Sequence, residues 1–426
     1  MNEAFRANKN FLYLFIDDNV ITPGPFLYHH EYFRDASYSL LALENLGFHN
    51  EVERILLNYP QRQRTDGYYV SQTGEWDSNG EALWSFYIHY LFTRRKDFIE
   101  QIFNSAYAGY RWIKQACSKT GGLLPAGFSA EHFGPPDQYY WDNFWALAGL
   151  KGFCFLAQEL NKEKEATEVA DFIDDYTKAI FASVTDAAKK YPFPVIPPSA
   201  KRGLDSSLIG SICVLYPLRL LTSHDPRLTG TLRVLREKYQ SNWAFFHRII
   251  HSGYNVYLTA QLAECYLFRR STRVLPILDW ILENFSGTYT FPEAIHPQTG
   301  GGCMGDGHHA WACAEIINLW RNLLFFEEDD HLVIMAVAHQ SWFEAGESLS
   351  CKNAPSFFGR INLKITSEAT RTILYLDCNF HHPPAYLEFC LPFKIKRAWI
   401  DNHEASDLSQ KTIRFSPQTK EVIVAR

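Results

Sequence analysis

Twelve stretches of this chain carry apolar residues at the 3.6-residue spacing of an amphipathic helix, and their character alternates along the sequence. They lie near 3–16, 31–47, 50–58, 78–93, 97–118, 137–160, 163–183, 204–220, 225–240, 252–269, 271–285 and 307–328. Every second one is rich in aromatic and small residues with few charges, as in "WDNFWALAGLKGFCFLA" and "HHAWACAEIINLW", whereas the neighbours carry the charge, as in "NKEKEATEVADFIDDYTKAI". A helix that is apolar nearly all round is enclosed by others, and one with a charged face lies outside. Six enclosed helices alternating with six outer ones predict a mainly α fold, an (α/α)6 toroid of helical hairpins, over residues 1–329.

Beyond about residue 330 the period changes. "INLKITSEATRTILYLD" and "IRFSPQTKEVIVAR" alternate apolar and polar residues with turn signals between them, which predicts an all-β, sandwich-like domain over 330–426 that supports the toroid. With 46% hydrophobic and 15% aromatic residues the chain has the composition of a folded protein. Its formal charge of -6 is spread without any block of like charge, so neither nucleic acid nor an anionic membrane is an expected partner. The nine cysteines are scattered with no CxxC pair, a pattern of reduced thiols rather than of disulfides or zinc. No apolar run reaches about 18 residues. A cytoplasmic protein without metal or cofactor is the expectation.

Aspartates recur at the starts of the predicted inner helices: Asp35, Asp77, Asp142, Asp205 and Asp306. One aspartate at a helix head is ordinarily an N-cap. Five of them on successive inner helices gather at one end of a toroid and line a cup. In "GEWDSNGEALW" and "DQYYWDNFWALAGL" a tryptophan precedes the aspartate, so Trp76 and Trp141 would stand beside Asp77 and Asp142, with Glu81 and Tyr140 close by. Sugars offer an apolar ring face to such aromatic plates and hydroxyls to carboxylates and arginine. Carbohydrate is therefore the expected partner.

Cleaving a glycoside without a cofactor takes two carboxyl groups, one a proton donor to the leaving oxygen and the other a base or nucleophile. Asp142, set among Tyr139, Tyr140, Trp141, Phe144 and Trp145, is placed to keep its proton through desolvation. Glu293 stands in a loop among Phe291, Pro292 and Ala294 before a glycine-rich turn and is the candidate base. The adjacent pairs His29-His30 and His308-His309 suggest a metal at first, but neighbouring residues on a helix point about 100° apart and seldom share one ion. His308 or His309 is expected to line the cup beside Glu293 instead.

Taken together, these segments resemble the inverting (α/α)6 glycosidases, chiefly the glucoamylase-like family 15, with a base loop like that of glucosidase I and trehalase relatives. "EYFRDASY" is similar to that family's W-x-RDA segment, "DQYYWDNFW" stands where it has its acid segment, and "RGLDSSLIG" and "HSGYNVYLTAQLAECYL" follow its later helix starts. "PEAIHPQTGGGCMG" resembles its base loop. The likeness runs over about residues 20–325 with five motifs in the family's order. It departs in having aspartate rather than glutamate as acid, in lacking an Asn-Pro-Trp at the "HSGYNVYLT" wall, and in placing the β-domain after the toroid rather than before it.

The resemblance implies an exo-acting, inverting glycoside hydrolase, α-glucosidase or glucoamylase-like. It makes Asp142 the acid and Glu293 the base, and gives Arg34, Asp35, Trp76, Asp77, Glu81, Tyr140, Trp141, Arg202, Asp205, Tyr254 and His308 to the sugar. Arg34 and Asp35 would be paired with each other and with substrate hydroxyls, which offsets the cost of burying charge. A phosphorylase, which needs one acid and a phosphate, and a sugar-binding protein with a decayed site are the alternatives. The presence of both acids counts against each.

Overall fold

A computed structural model describes residues 1–128, 134–249, 251–405 and 408–426. Its helices are α1 (Asn2–Leu14), α2 (Phe33–Asn45), α3 (His49–Asn58), α4 (Ser78–Thr93), α5 (Lys96–Ser118), α6 (Tyr140–Glu159), α7 (Glu163–Ala188), α8 (Pro226–Lys238), α9 (Val256–Phe268), α10 (Val274–Glu283) and α11 (Ala310–Leu324). A 3-10 segment, Ser206–Val214, takes the place of one further inner helix.

The inner elements close into a ring: α2 packs on α4, α4 on α6, α6 on the 3-10 segment, that segment on α9, α9 on α11, and α11 back on α2. The charged helices lie outside it, α3 and α5 against α4, α7 against α6, α8 against the 3-10 segment, α10 against α9 and α1 against α11. This is the toroid that the alternating pattern predicts. Glycine sets its closest approach, because a Cβ on Gly80 would stand 2.3 Å from the Trp145 backbone and one on Gly149 would stand 2.4 Å from the Gly80 carbonyl. Inside the ring, Tyr38, Trp84, Trp145, Tyr257 and Trp311 interlock, with ring centroids 4.5 to 5.7 Å apart. They fill part of its interior with aromatic side chains.

The continuous helix that the spacing predicts over 204–220 does not form; only the 3-10 segment Ser206–Val214 does. Gly210 and the serines at 206, 207 and 211 are poor helix formers, and Pro217 lacks the N–H a helix would need. Asp205 caps the short segment by accepting from the Ser207 backbone N–H at 2.9 Å.

Immediately after α11 the chain turns to strand at Phe325. One sheet has six strands in the order Ser348–Ser356, Gly359–Ser367, Arg371–Phe380, Glu421–Ala425, Arg397–Ile400, His403–Glu404. The other has four, Thr412–Phe415, Leu387–Cys390, His331–Ile334, Phe325–Glu328. All pairings are antiparallel except Leu387–Cys390 with His331–Ile334. Leu363, Leu374, Phe389 and Val424 lie in a hydrophobic core distinct from the toroid's.

A cavity of about 1460 Å³ opens where the C-terminal ends of the inner helices meet this domain, between Leu91, Phe155, Arg219 and Phe358. Neither candidate catalytic acid lines it; both belong to the other end of the ring, where the inner helices begin. Among the described residues no helix is long and apolar enough to cross a membrane. All nine cysteines are unpaired.

Candidate active site

The start of α6 carries Asp142 in its first turn, with Tyr139 as the extended N-cap residue. Asp142 is 1% exposed, and among the described residues neither of its carboxyl oxygens has a hydrogen-bond partner. Burial, then the negative charges of Asp77 and Glu75, push its pKa well above the usual aspartate value, and Arg34 opposes only in part. The carboxyl is thereby kept protonated in the range where an exposed aspartate is ionised.

Beneath and beside it lies a buried ion cluster. Arg34 donates through Nε to Asp77 Oδ2 at 3.1 Å and through Nη2 to Glu75 Oε2 at 2.7 Å, and Trp141 Nε1 donates to the same Asp77 oxygen at 2.9 Å. A buried guanidinium with planar donors suits two carboxylates at once. Asp77 heads α4 while Glu75 lies just before it, and Arg34 comes from the first turn of α2. Three chain segments therefore meet at one charge cluster.

Glu293 stands on the connection between α10 and α11, just before a short strand, Ala294–Ile295, that pairs with Gly253–Tyr254 and with Gly302–Met304. His251 Nε2 is 3.2 Å from its Oε1, Asn255 donates to its backbone carbonyl at 3.1 Å, and the phenol of Tyr28 faces it. Gly305 has a φ of +64°, and a Cβ there would press on Tyr28 at 2.9 Å and on Glu293 Oε2 at 3.0 Å. Burial works against ionisation of Glu293. The contact with His251, the nearby imidazole of His309 and the Tyr28 hydroxyl together outweigh it, so its pKa lies below the usual glutamate value.

Tyr32 joins the two groups. Its pKa is raised by burial, then by Asp35, Glu75 and Glu293, and Arg34 acts on it as well; one phenol thus senses charges from both sides. Asp35 faces His309 Nε2 at 3.5 Å. The two charges at the head of α2 thus have separate partners. Among the described residues the ion pairs of Arg34 go to Glu75 and Asp77, not to Asp35 as the sequence reading had it.

Other sequence-predicted residues fall in three groups. Glu81, fully buried one turn below Asp77, has its pKa raised well above normal by burial and by Asp77. Arg202 binds Asp205 at 2.6 Å and the Tyr139 hydroxyl at 2.9 Å, and so forms a side wall next to the Asp142 helix start. Trp76 sits at the rim, its ring against Tyr68 and Trp112 and its Nε1 donating to the Ala126 carbonyl at 3.3 Å.

Three assignments are corrected. Tyr140 leaves the cup because its hydroxyl bonds Ser183 on the outer helix α7 at 2.9 Å. Tyr254 packs on Phe246 and Trp280. His308 stacks on Phe11 at 4.2 Å and bonds Thr290, so it is His309 that faces the carboxylates. Asp306 is likewise no helix cap. Its Oδ2 accepts from the backbone N–H groups of Phe26 and Leu27 at 3.2 and 2.9 Å, which pins the loop that carries Tyr28.

Glu75, Tyr28, Tyr32 and His251 escaped the sequence reading. Glu75 directly precedes Trp76-Asp77, a position open to notice. Tyr28 and His251 reach Glu293 only through loop folding.

No family model matches the chain. A protein of Methanocaldococcus jannaschii named as an uncharacterized glycosyl hydrolase is 23% identical over 340 residues, 69% of this chain and 52% of that protein. The chain thus spans about half the length of this curated relative. An alpha-L-rhamnosidase from Dictyoglumus thermophilum superposes with a TM-score of 0.67 at 11% identity, over 100% of this chain and 49% of that one. The glucoamylase from Saccharomycopsis fibuligera gives 0.60 at 10% identity, over 75% of this chain and 94% of that chain. The fold is that of the six-hairpin glycosidases. A further structure, a glycosidase variant in complex with glucose, matches with a TM-score of 0.61 at 12% identity, over 76% of this chain and 97% of that one.

Proposed function

We propose that the protein is an exo-acting glycoside hydrolase that inverts configuration, with Asp142 as general acid and Glu293 as general base. The observation that carries this reading is the opposite bias of two carboxyl groups at one end of the ring. Asp142 is pushed toward its protonated form by burial and by Asp77 and Glu75, and Glu293 is held toward its ionised form by its imidazole and phenol neighbours against burial. Environments that split two carboxyls in this way assign the acid and the base.

Asp142 gives its proton to the glycosidic oxygen as the bond to the anomeric carbon breaks. Glu293 takes a proton from a water that attacks that carbon from the opposite face, so one hydrolysis event yields a sugar of inverted anomeric configuration. Arg34, fixed by Glu75 and Asp77, and Asp35, facing His309, supply fixed polar groups for hydroxyls of the terminal sugar. The glycosidase names carried by the distant relative and by the structural matches support the same reading.

A panel of nitrophenyl glycosides and disaccharides, assayed with the wild type, Asp142→Asn and Glu293→Gln, tests it. The wild type should cleave at least one member, α-glucosides first, without added phosphate. Glu293→Gln should lose about 10²- to 10⁴-fold in kcat on every substrate, and Asp142→Asn should lose as much on disaccharides but less on nitrophenyl glycosides, whose leaving group needs little protonation. Turnover that requires phosphate would instead indicate a phosphorylase.

A further inference from the structure

The two ends of the ring differ in what they show to solvent. The connections that lead into the inner helices carry exposed Phe26, Leu27, Phe128, Trp243 and Ile249. The connections that lead out of them, among the described residues, carry none of the molecule's exposed large apolar side chains. Several of these residues are bonded to segments that carry the neighbours of Glu293 and of Asp77.

Phe26 and Leu27 are 84% and 70% exposed, yet both of their backbone N–H groups are held by Asp306. The next residue, Tyr28, faces Glu293. Ile249 donates its N–H to His247 Nδ1 at 3.2 Å and lies two residues from His251, the partner of Glu293. Phe128 pairs with Gly74 through its N–H at 3.0 Å, one residue from Glu75. Exposed apolar side chains on three separate loops therefore lie within a few residues of Tyr28, His251 and Glu75, and the loop at 26–27 is held by Asp306 rather than left free. Solvent-facing apolar groups gathered this way mark a binding surface.

We propose that this rim binds an apolar leaving group, so that the substrates are glycosides of an alkyl or aryl alcohol rather than sugar chains. The inference rests on the hydrolase reading above. An exo-cleaving site holds the terminal sugar among the buried polar groups and directs the remainder of the substrate outward, past Leu27, Phe128 and Ile249. Aliphatic Leu27 and Ile249 offer a sugar chain neither a hydrogen bond nor a flat ring, whereas a hydrocarbon group loses its contact with water on them.

The test uses methyl, butyl and hexyl glycosides of whichever sugar the nitrophenyl panel shows to be cleaved. Their leaving alcohols differ little in chemistry and steadily in apolar area. Each methylene fully buried adds up to about fourfold in kcat/KM, so hexyl should exceed methyl by at least about tenfold. The double variant Phe26→Ser, Leu27→Ser should bring that ratio down toward one. Equal kcat/KM for methyl and hexyl glycosides, or a ratio untouched by the double variant, overturns the apolar rim site while the hydrolase reading stands. Absence of any glycoside cleavage overturns the hydrolase reading and this inference with it.

Discussion

The Nε2 atom of His251 stands 3.2 Å from Oε1 of Glu293, and this contact helps to hold the glutamate ionised against its burial. Removing it in His251→Ala takes away a group that favours the charged form, so the pKa of Glu293 rises. The acid limb of the kcat/KM profile should then move up by about one pH unit, with little change on the alkaline side. A pH-rate profile of the variant against wild type measures this.

The profile of the wild type follows from both carboxyls. Activity needs Glu293 ionised and Asp142 protonated. Because the pKa of Glu293 is lowered and that of Asp142 is raised, the bell should be broad. Its acid limb should lie below the ordinary glutamate value of about 4.3, and its alkaline limb well above the ordinary aspartate value. With a nitrophenyl leaving group, which needs little protonation, Asp142→Asn should retain measurable turnover and lose the alkaline limb.

Asp142 should also cost stability. A carboxyl whose folded pKa is raised binds its proton more tightly in the folded protein than in the unfolded chain. The stability this lends is present at low pH and is lost as the pH rises through the folded value. Asp142→Asn has no such titration, so its gain over wild type should be absent near pH 4 and present at pH 8, where Tm rises by about 1–3 °C. Thermal unfolding at the two pH values decides it.

Arg34 behaves in the opposite sense. Its guanidinium compensates Glu75 and Asp77, both about 1% exposed. Arg34→Met leaves two buried carboxylates without it, a loss of about 3–5 kcal/mol, measurable by denaturant unfolding. Arg34→Lys should recover only part, since one ammonium cannot match the planar donors that reach two partners.

Much of the architecture could be read from the chain because burial leaves a periodic record. The inner helices α4, α6 and α9 are apolar on every face since each is surrounded, and the outer α7 keeps its acids and lysines toward water. The 3-10 segment broke that reading, because Leu208, Ile209 and Ile212 are spaced as in a buried helix while serine, glycine and Pro217 decide the backbone. In the site, Asp77 and Asp142 are tied to helix starts and so could be placed from sequence. Local order is enough for such residues. The partners of Glu293 arise from long-range closure: Tyr28 comes from the first connection, His251 from the hairpin before α9, and His309 from the turn into α11. No spacing along the chain records that meeting. The same closure turned His308 away toward Phe11 and brought its neighbour to Asp35.

In the proposed mechanism Glu293 activates a water across the sugar from Asp142 and does not itself bond to the anomeric carbon. Proton NMR of the first sugar released, followed before mutarotation, tests this most directly. The initial anomer should be opposite to that of the substrate glycoside. Release of the same anomer would contradict it, because retention requires a covalent glycosyl-enzyme that a base acting through water does not form.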